Sequence, residues 1–219
     1  RMLTEGPAGA QARVYLESRG IQQRTSAQFN IGYAPEEWDG LTKAMLKAGF
    51  APADLVAAGL SIPRDQSGSQ KTAVSGHYDR FRSRIMFPIT DLRKRVVAFG
   101  GRILGDGMPK YLNSPETPLF KKGQTLFALD AAREAAGQQQ TLIIVEGYFD
   151  AIALHQAGIR HVAATLGTAL TAEHITVIRR FASNIVLLFD PDQAGVRAAL
   201  RSLDLFVNSG LSVKIGRAS

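Results

Sequence analysis

Thr141-Leu142-Ile143-Ile144-Val145-Glu146-Gly147-Tyr148-Phe149-Asp150 and, further along, Asn184-Ile185-Val186-Leu187-Leu188-Phe189-Asp190-Pro191-Asp192 decide how this chain folds. Each is a short apolar run, partly β-branched, that breaks at carboxylates. Such runs read as strands buried on both faces, the pattern of a parallel sheet. Glu146, Asp150, Asp190 and Asp192 then stand at the carboxyl ends of strands, where open α/β sheets put their ligands. Carboxylates gathered there repel one another unless a divalent cation neutralises them. The pattern points to magnesium-type phosphate chemistry.

Around these two stretches the periodicity alternates between strand and helix. Strands are expected at 141–145, 161–165, 184–189 and 211–215, with helices at about 148–157, 171–181 and 193–208. Short helical crossovers between four strands imply a small parallel sheet with right-handed connections. Thr168, after Gly167, reads as a helix N-cap, with a backbone amide offered to phosphate as the alternative.

Upstream the character differs. Helices are expected from Ala8 to Arg19, ending at Gly20, from an Asp39 cap to Gly49, and from Pro52 to near Gly59. Residues 64–77 are polar and glycine-serine rich and read as a mobile loop. Arg82 to Ile89 alternates polar and apolar, Asp91 to Arg95 forms a turn, and Val96 to Phe99 returns as a second strand. Gly100-Gly101 and Gly105 read as tight turns, Lys110 to Thr117 as loop, and Leu126 to Ala136 as helix. The fold class is therefore α/β: a basic α+β subdomain over 1–139 and a four-stranded parallel sheet flanked by helices over 140–219.

The chain has 219 residues, 45% hydrophobic, with a formal net charge of +7. No apolar run approaches the ~20 residues that span a bilayer, and no apolar leader opens the chain. A cytoplasmic protein with no membrane partner is expected. Cysteine is absent, which excludes disulfides, zinc ribbons and cysteine nucleophiles from this segment. Arg1 before Met2 and the abrupt Arg217-Ala218-Ser219 read as an excised fragment.

The charge is uneven. Residues 80–122 hold ten basic side chains against three acidic ones, a surplus equal to that of the whole chain. Six of the ten are arginines, interleaved with Phe81, Phe87, Phe99 and Tyr111. Arginine offers planar bidentate donors suited to phosphate, and aromatic rings offer stacking, so a polyanionic partner is favoured over a merely solvated face. The histidines (His77, His155, His161, His174) lack ligand spacing and read as surface or helix-packing residues.

The spacing of the acids supports one site. Glu146 and Asp150 are four apart with a turn between them, so both can face it. Asp190 and Asp192 are two apart, and alternate residues of an extended segment point the same way. Pro191 keeps that segment extended, and Gly195 lets the next helix start close to the sheet. Magnesium takes one or two carboxylates plus waters and phosphate oxygens. Two such ions about 4 Å apart stabilise both oxygens of an in-line phosphoryl transfer.

The Glu146-Gly147-Tyr148-Phe149-Asp150 string followed by Phe189-Asp190-Pro191-Asp192 resembles the TOPRIM module of topoisomerases, bacterial primases and some nucleases. Tyr78-Asp79-Arg80-Phe81-Arg82, Phe99-Gly100-Gly101-Arg102, Lys110-Tyr111-Leu112-Asn113-Ser114-Pro115-Glu116-Thr117 and Phe120-Lys121-Lys122-Gly123 narrow this. They resemble bacterial DNA primases of the DnaG type, and the similarity runs through nearly the whole chain.

The resemblance implies synthesis of short RNA primers on a single-stranded DNA template from ribonucleoside triphosphates, passing through an RNA–DNA hybrid. It implies that Glu146, Asp150, Asp190 and Asp192 hold Mg2+ or Mn2+, with Glu146, Asp190 and Asp192 catalytic and Glu146 a candidate general base. Arg80, Arg82, Arg84, Arg102, Lys110, Tyr111, Asn113 and Lys122 fall on the family's nucleotide- and DNA-binding ridge, and Arg19 on a further basic position. The family's zinc-binding domain is not in this segment, nor are its helical and helicase-binding regions. The replicative helicase is expected as a partner through a region absent here. A further acidic pair is expected beyond Leu211 to Ile215, so the segment is expected to polymerise poorly. The competing readings are a TOPRIM-type metal-dependent nuclease or phosphoesterase and a non-catalytic DNA-binding module.

Overall fold

A computed structural model describes residues 2–64, 76–190, 193–207 and 209–217. Most of the stretch read as a mobile loop, residues 65–75, lies outside the described residues, as do Pro191 and Asp192. The chain packs as two units: Arg1–Arg19, Ser26–Pro88 and Val97–Phe120 form the first, and Gly20–Thr25, Ile89–Val96 and Lys121–Ser219 the second.

The first unit begins with helix α1 (Ala10–Ser18), whose buried Ala12 and Leu16 are four apart on one face. Helix α2 (Gln23–Gln28) and strand β1 (Gly32–Ala34) follow, then helices α3 (Gly40–Lys47) and α4 (Pro52–Ala57). Short strands β2 (Ser61–Pro63) and β3 (His77–Asp79) pair antiparallel. Strands β4 (Arg84–Thr90), β5 (Val96–Ile103) and β6 (Tyr111–Asn113) complete a sheet of order β1-β4-β5-β6. The period-two pattern of β4 is kept: Ile85, Phe87 and Ile89 are fully buried, while Met86, Pro88 and Thr90 are partly exposed.

Three expectations change. Tyr111–Asn113, read as loop, is an edge strand whose Leu112 stands opposite Gly101. Gly100 and Gly101 lie inside β5, not in a turn. A Cβ at Gly101 would come within 2.9 Å of Arg84 Cδ and 3.0 Å of Phe81 Cδ1, so glycine there makes room for an arginine crossing the strand. Asp39 does not cap α3 through its side chain but pairs with Lys43 at 2.9 Å. The cap comes from β3. The buried Asp79 carboxylate accepts from the Leu41 N–H at 2.7 Å, the Thr42 N–H at 2.9 Å and the Thr42 hydroxyl at 2.6 Å. With its proton committed to Asp79, the Thr42 hydroxyl receives that of Ser61, 2.6 Å away.

The second unit is the α/β layer. Helix α5 (Leu129–Gln139) leads into strand β7 (Thr141–Val145), then α6 (Tyr148–Gln156), β8 (Val162–Ala164), α7 (Ala172–Ile178), β9 (Asn184–Phe189), α8 (Gln193–Phe206) and β10 (Ser212–Arg217). All four strands are parallel, in the order β10-β9-β7-β8. The central strands are buried as their composition requires: Leu142, Ile144, Ile185 and Leu187 are at most 1% exposed and pack against Ala132, Ala136, Ile175 and Ile178.

That strand order contains a reversal. From β7 the chain steps outward to β8, crosses back to β9 on the other side, and then steps outward again to β10. Connections diverge on either side of the β7–β9 pair. Helices leaving in opposite directions open a crevice at the carboxyl ends of two such strands.

Candidate functional site

The register of β7 on β9 pairs Thr141 with Asn184 and Ile144 with Leu187, so both strands end side by side at that crevice. Glu146 is the first residue past β7 and Asp190 the first past β9. The Asp190 N–H donates to Glu146 Oε1 at 3.3 Å, tying the two strand ends together through one carboxylate. Gly195, buried in the first turn of α8, is what permits this closeness. A Cβ there would lie 2.2 Å from the Asp190 carbonyl oxygen and 2.8 Å from Glu146 Oε1.

Asp150 sits in the first turn of α6, exposed, and accepts from the Gly147 N–H at 3.1 Å. It thus satisfies an otherwise unpartnered helix N-terminal amide, and its charge complements the helix dipole. The structure joins Glu146 to Asp190 and engages Asp150 with its own helix; Asp192 lies outside the described residues. Among the described residues no group of three or more His, Asp or Glu could hold a metal ion. The donor set suits a hard divalent cation: it offers carboxylate oxygens and no sulfur, and glycine in place of a side chain keeps space open beside Glu146 Oε1. An ion that retains waters and substrate oxygens needs only one or two protein carboxylates.

A cavity of about 290 Å³ adjoins the crevice, lined by Glu146, Thr165, Gly167, Thr168 and, from α8, Arg201 and Ser202. The sequence reading missed Arg201. Its signal was helical phase, since Ala198, Arg201 and Ser202 are spaced i, i+3, i+4 on the face that lines this cavity. A cation beside a carboxylate suits a site that handles phosphate.

The basic residues of the first unit form two cation–aromatic clusters. In one, the Arg102 guanidinium lies 5.4 Å from the Tyr15 ring centre and 5.5 Å from that of Tyr111. Arg19 stacks on the same Tyr15 ring at 5.4 Å and its Nε donates to the Tyr15 hydroxyl at 3.2 Å. Arg19, Arg102 and Tyr111, separate in sequence, are thereby brought together. Tyr15, read only as an apolar helix residue, is the hub; its place four residues before Arg19 was the available clue.

In the other cluster, Arg82 lies 4.4 Å from the ring of Trp38 and 5.3 Å from that of Tyr78, which stack on each other at 5.0 Å. Arg64 approaches the exposed Trp38 at 5.2 Å. Arg82 also donates to the Asp79 carbonyl.

Two of the arginines serve the framework. Arg84 is 4% exposed and donates to the carbonyls of Gly101 at 3.1 Å and Pro109 at 3.0 Å, holding β5 and the 105–110 turn. Burial draws its guanidinium below the ordinary arginine value, and Arg82 and Arg102 push the same way. Arg80 donates to the Asn113 carbonyl at 3.4 Å. Burial lowers it too, opposed by Tyr78. The Nε atoms of Arg80 and Arg102 are buried and take no hydrogen-bond partner among the described residues. Lys110 is exposed, its carbonyl accepting from the Ile103 N–H. Lys122 belongs to the second unit, on a single helical turn at Lys122–Gln124.

A four-stranded parallel sheet with carboxylates at its switch point defines a Toprim domain, a metal-binding fold, and residues 140–216 match that family. Residues 2–133 match the family described as DNA primase catalytic core, N-terminal domain, and the chain belongs to the bacterial DnaG-type primase family. It is 47% identical to the DNA primase of Deinococcus radiodurans over 201 residues, 91% of this chain and 34% of that protein. It superposes on a DNA primase domain from Pseudomonas aeruginosa with a TM-score of 0.86 at 43% identity, covering 99% of this chain and 66% of that one. With a DnaG primase catalytic domain bound to single-stranded DNA the TM-score is 0.85 at 39% identity, over 100% of this chain and 67% of that one. The chain spans about a third of the length of the curated relatives it matches.

Proposed function

We propose that this chain is the core of a DNA-dependent RNA polymerase that makes short RNA primers on single-stranded DNA. The division of labour follows the sequence: residues 1–139 carry the nucleotide- and DNA-binding cations, and residues 140–219 the acidic centre. The observation that carries the reading is the joining of Glu146 and Asp190 at the β7–β9 switch point. A bound Mg2+ or Mn2+ supplies charge neutralisation for a 3′-hydroxyl attacking an α-phosphate with loss of pyrophosphate. Glu146, Asp190 and Asp192 are the carboxylates for such an ion, with Asp150 in support.

Arg19, Arg82, Arg102, Lys110, Tyr111, Asn113 and Lys122 bind the polyphosphate and the template–primer backbone. Arg80 and Arg84 hold the strands that present them. The test, on the full-length protein, is nucleotide incorporation against strand cleavage on a single-stranded template, with magnesium and then manganese. Primer synthesis that Asp190→Asn abolishes while oligonucleotide binding persists is the expected result. Strand cleavage without incorporation would return the chain to the nuclease reading, and synthesis surviving Asp190→Asn would remove the carboxylates from catalysis.

A further inference from the structure

His174 is the third residue of α7 and is fully buried, although nothing in its spacing marks it as functional. Both of its ring nitrogens are engaged. The Thr171 N–H donates to Nδ1 at 3.2 Å, so that nitrogen carries the lone pair and the proton sits on Nε2. Nε2–H is then directed at the carbonyls of Lys122, 2.9 Å away, and Thr125, 3.2 Å away. The Thr171 hydroxyl adds a bond of 2.5 Å to the Gly123 carbonyl while accepting the His174 N–H at 3.2 Å. One helix N-terminus therefore holds three carbonyls of the segment 122–125, those of Lys122, Gly123 and Thr125. Burial lowers the His174 pKa, which keeps the ring neutral and this tautomer in place.

A glutamine at this position would serve the helix equally well, because the third residue of a capping box is commonly Gln or Glu. The ring here does more than cap: Nδ1 accepts from the cap while Nε2–H donates across to a second segment. The segment it reaches carries Lys122.

We propose that His174 and Thr171 form a latch that fixes the Lys122–Gln124 turn and so positions Lys122 as a phosphate contact. His174 is a positioning residue; it acts through Lys122. The inference rests on the reading of Lys122 as a ligand for nucleotide or DNA.

The experiment is a double-mutant cycle on the 219-residue chain. Binding is measured by fluorescence anisotropy across a salt series, with a labelled single-stranded oligonucleotide and a labelled ATP as separate probes. Lys122→Ala is expected to weaken one of them by about two- to fivefold, the worth of one exposed ion pair. For the oligonucleotide, it should also flatten the dependence of log K on log salt by about 0.7. His174→Leu, which leaves the Thr171 hydroxyl capping the backbone N–H of residue 174 but removes both ring bonds, should give a smaller loss of the same kind and no further loss when added to Lys122→Ala. A purely structural role predicts equal losses from His174→Leu in both backgrounds, and that additivity overturns the latch, as does parental binding by His174→Leu. A Lys122→Ala variant neutral toward both probes overturns the reading of Lys122 itself, and the latch with it.

Discussion

Gly195→Ala separates two opposed forces at the acidic centre. Gly195 stands in the first turn of α8, and helix propensity alone favours alanine there by about 1 kcal/mol. The structure sets the opposite sign. The new Cβ would lie 2.2 Å from the Asp190 carbonyl oxygen, 3.1 Å from its carbonyl carbon and 2.8 Å from Glu146 Oε1. Carbon–oxygen contacts settle well beyond 3 Å, so the turn must recede by roughly 1 Å. Glu146 can rotate aside, but the Asp190 carbonyl belongs to the end of β9 and cannot. Overpacking of this kind costs about 1–3 kcal/mol. The rigid backbone obstacle places the cost in the upper half of that range, a net loss of about 1–2 kcal/mol after the propensity gain. For a protein of this size the melting temperature should fall by about 2–8 °C. Incorporation should fall further, since a displacement near 1 Å at reacting groups costs about 100-fold. Circular dichroism melts of this chain and primer-synthesis rates of the full-length protein measure the two effects. A higher melting temperature with unchanged synthesis would mean that α8 is free to move, and that close approach of helix to strand does not build the site.

Asp79→Ala should destabilise the first unit by about 2–4 kcal/mol in chemical denaturation, because two amides and a hydroxyl lose their shared acceptor in a buried setting; a loss under 0.5 kcal/mol would show that α3 is capped by other means. Stability should also decline as pH falls below about 6.5. Burial holds His155 and His174 below their ordinary values, so the unfolded chain takes up protons first. The contribution is whole above the unfolded pKa and lost toward the lower folded one, by at most about 1.4 kcal/mol per pH unit for each histidine. Denaturant midpoints at pH 7.5 and 5.5 measure it; His174→Gln should shrink the difference, and an unchanged midpoint would count against buried neutral rings.

The sheet and its acidic edge were legible because their signals are local. A β-branched run ending in carboxylates, present twice, specifies a buried strand and its carboxyl end, and four strands alternating with short helices specify a parallel sheet. What stayed hidden depends on contacts between distant residues. Asp39 has the composition of a helix cap, yet Asp79, from a strand 38 positions beyond Leu41, does the capping. Gly101 looks like turn chemistry and is instead the space through which Arg84 crosses β5. Counting cations could not divide them into those that stack on aromatic rings nearer the surface, such as Arg19 and Arg82, and one that is sealed against backbone carbonyls, Arg84. That division follows from burial. A guanidinium 4% exposed must spend its donors on the nearest carbonyls, because leaving them unmet in a low-dielectric setting costs more than the hydrogen bonds gain in water. An arginine left at the surface keeps its edge available, and an aromatic face can hold its plane without consuming those donors. The same residue type therefore acts as mortar in one place and as an aromatic-backed cation in another, and Arg102, buried, donating to the Ile103 carbonyl and lying against two tyrosine rings, combines the two.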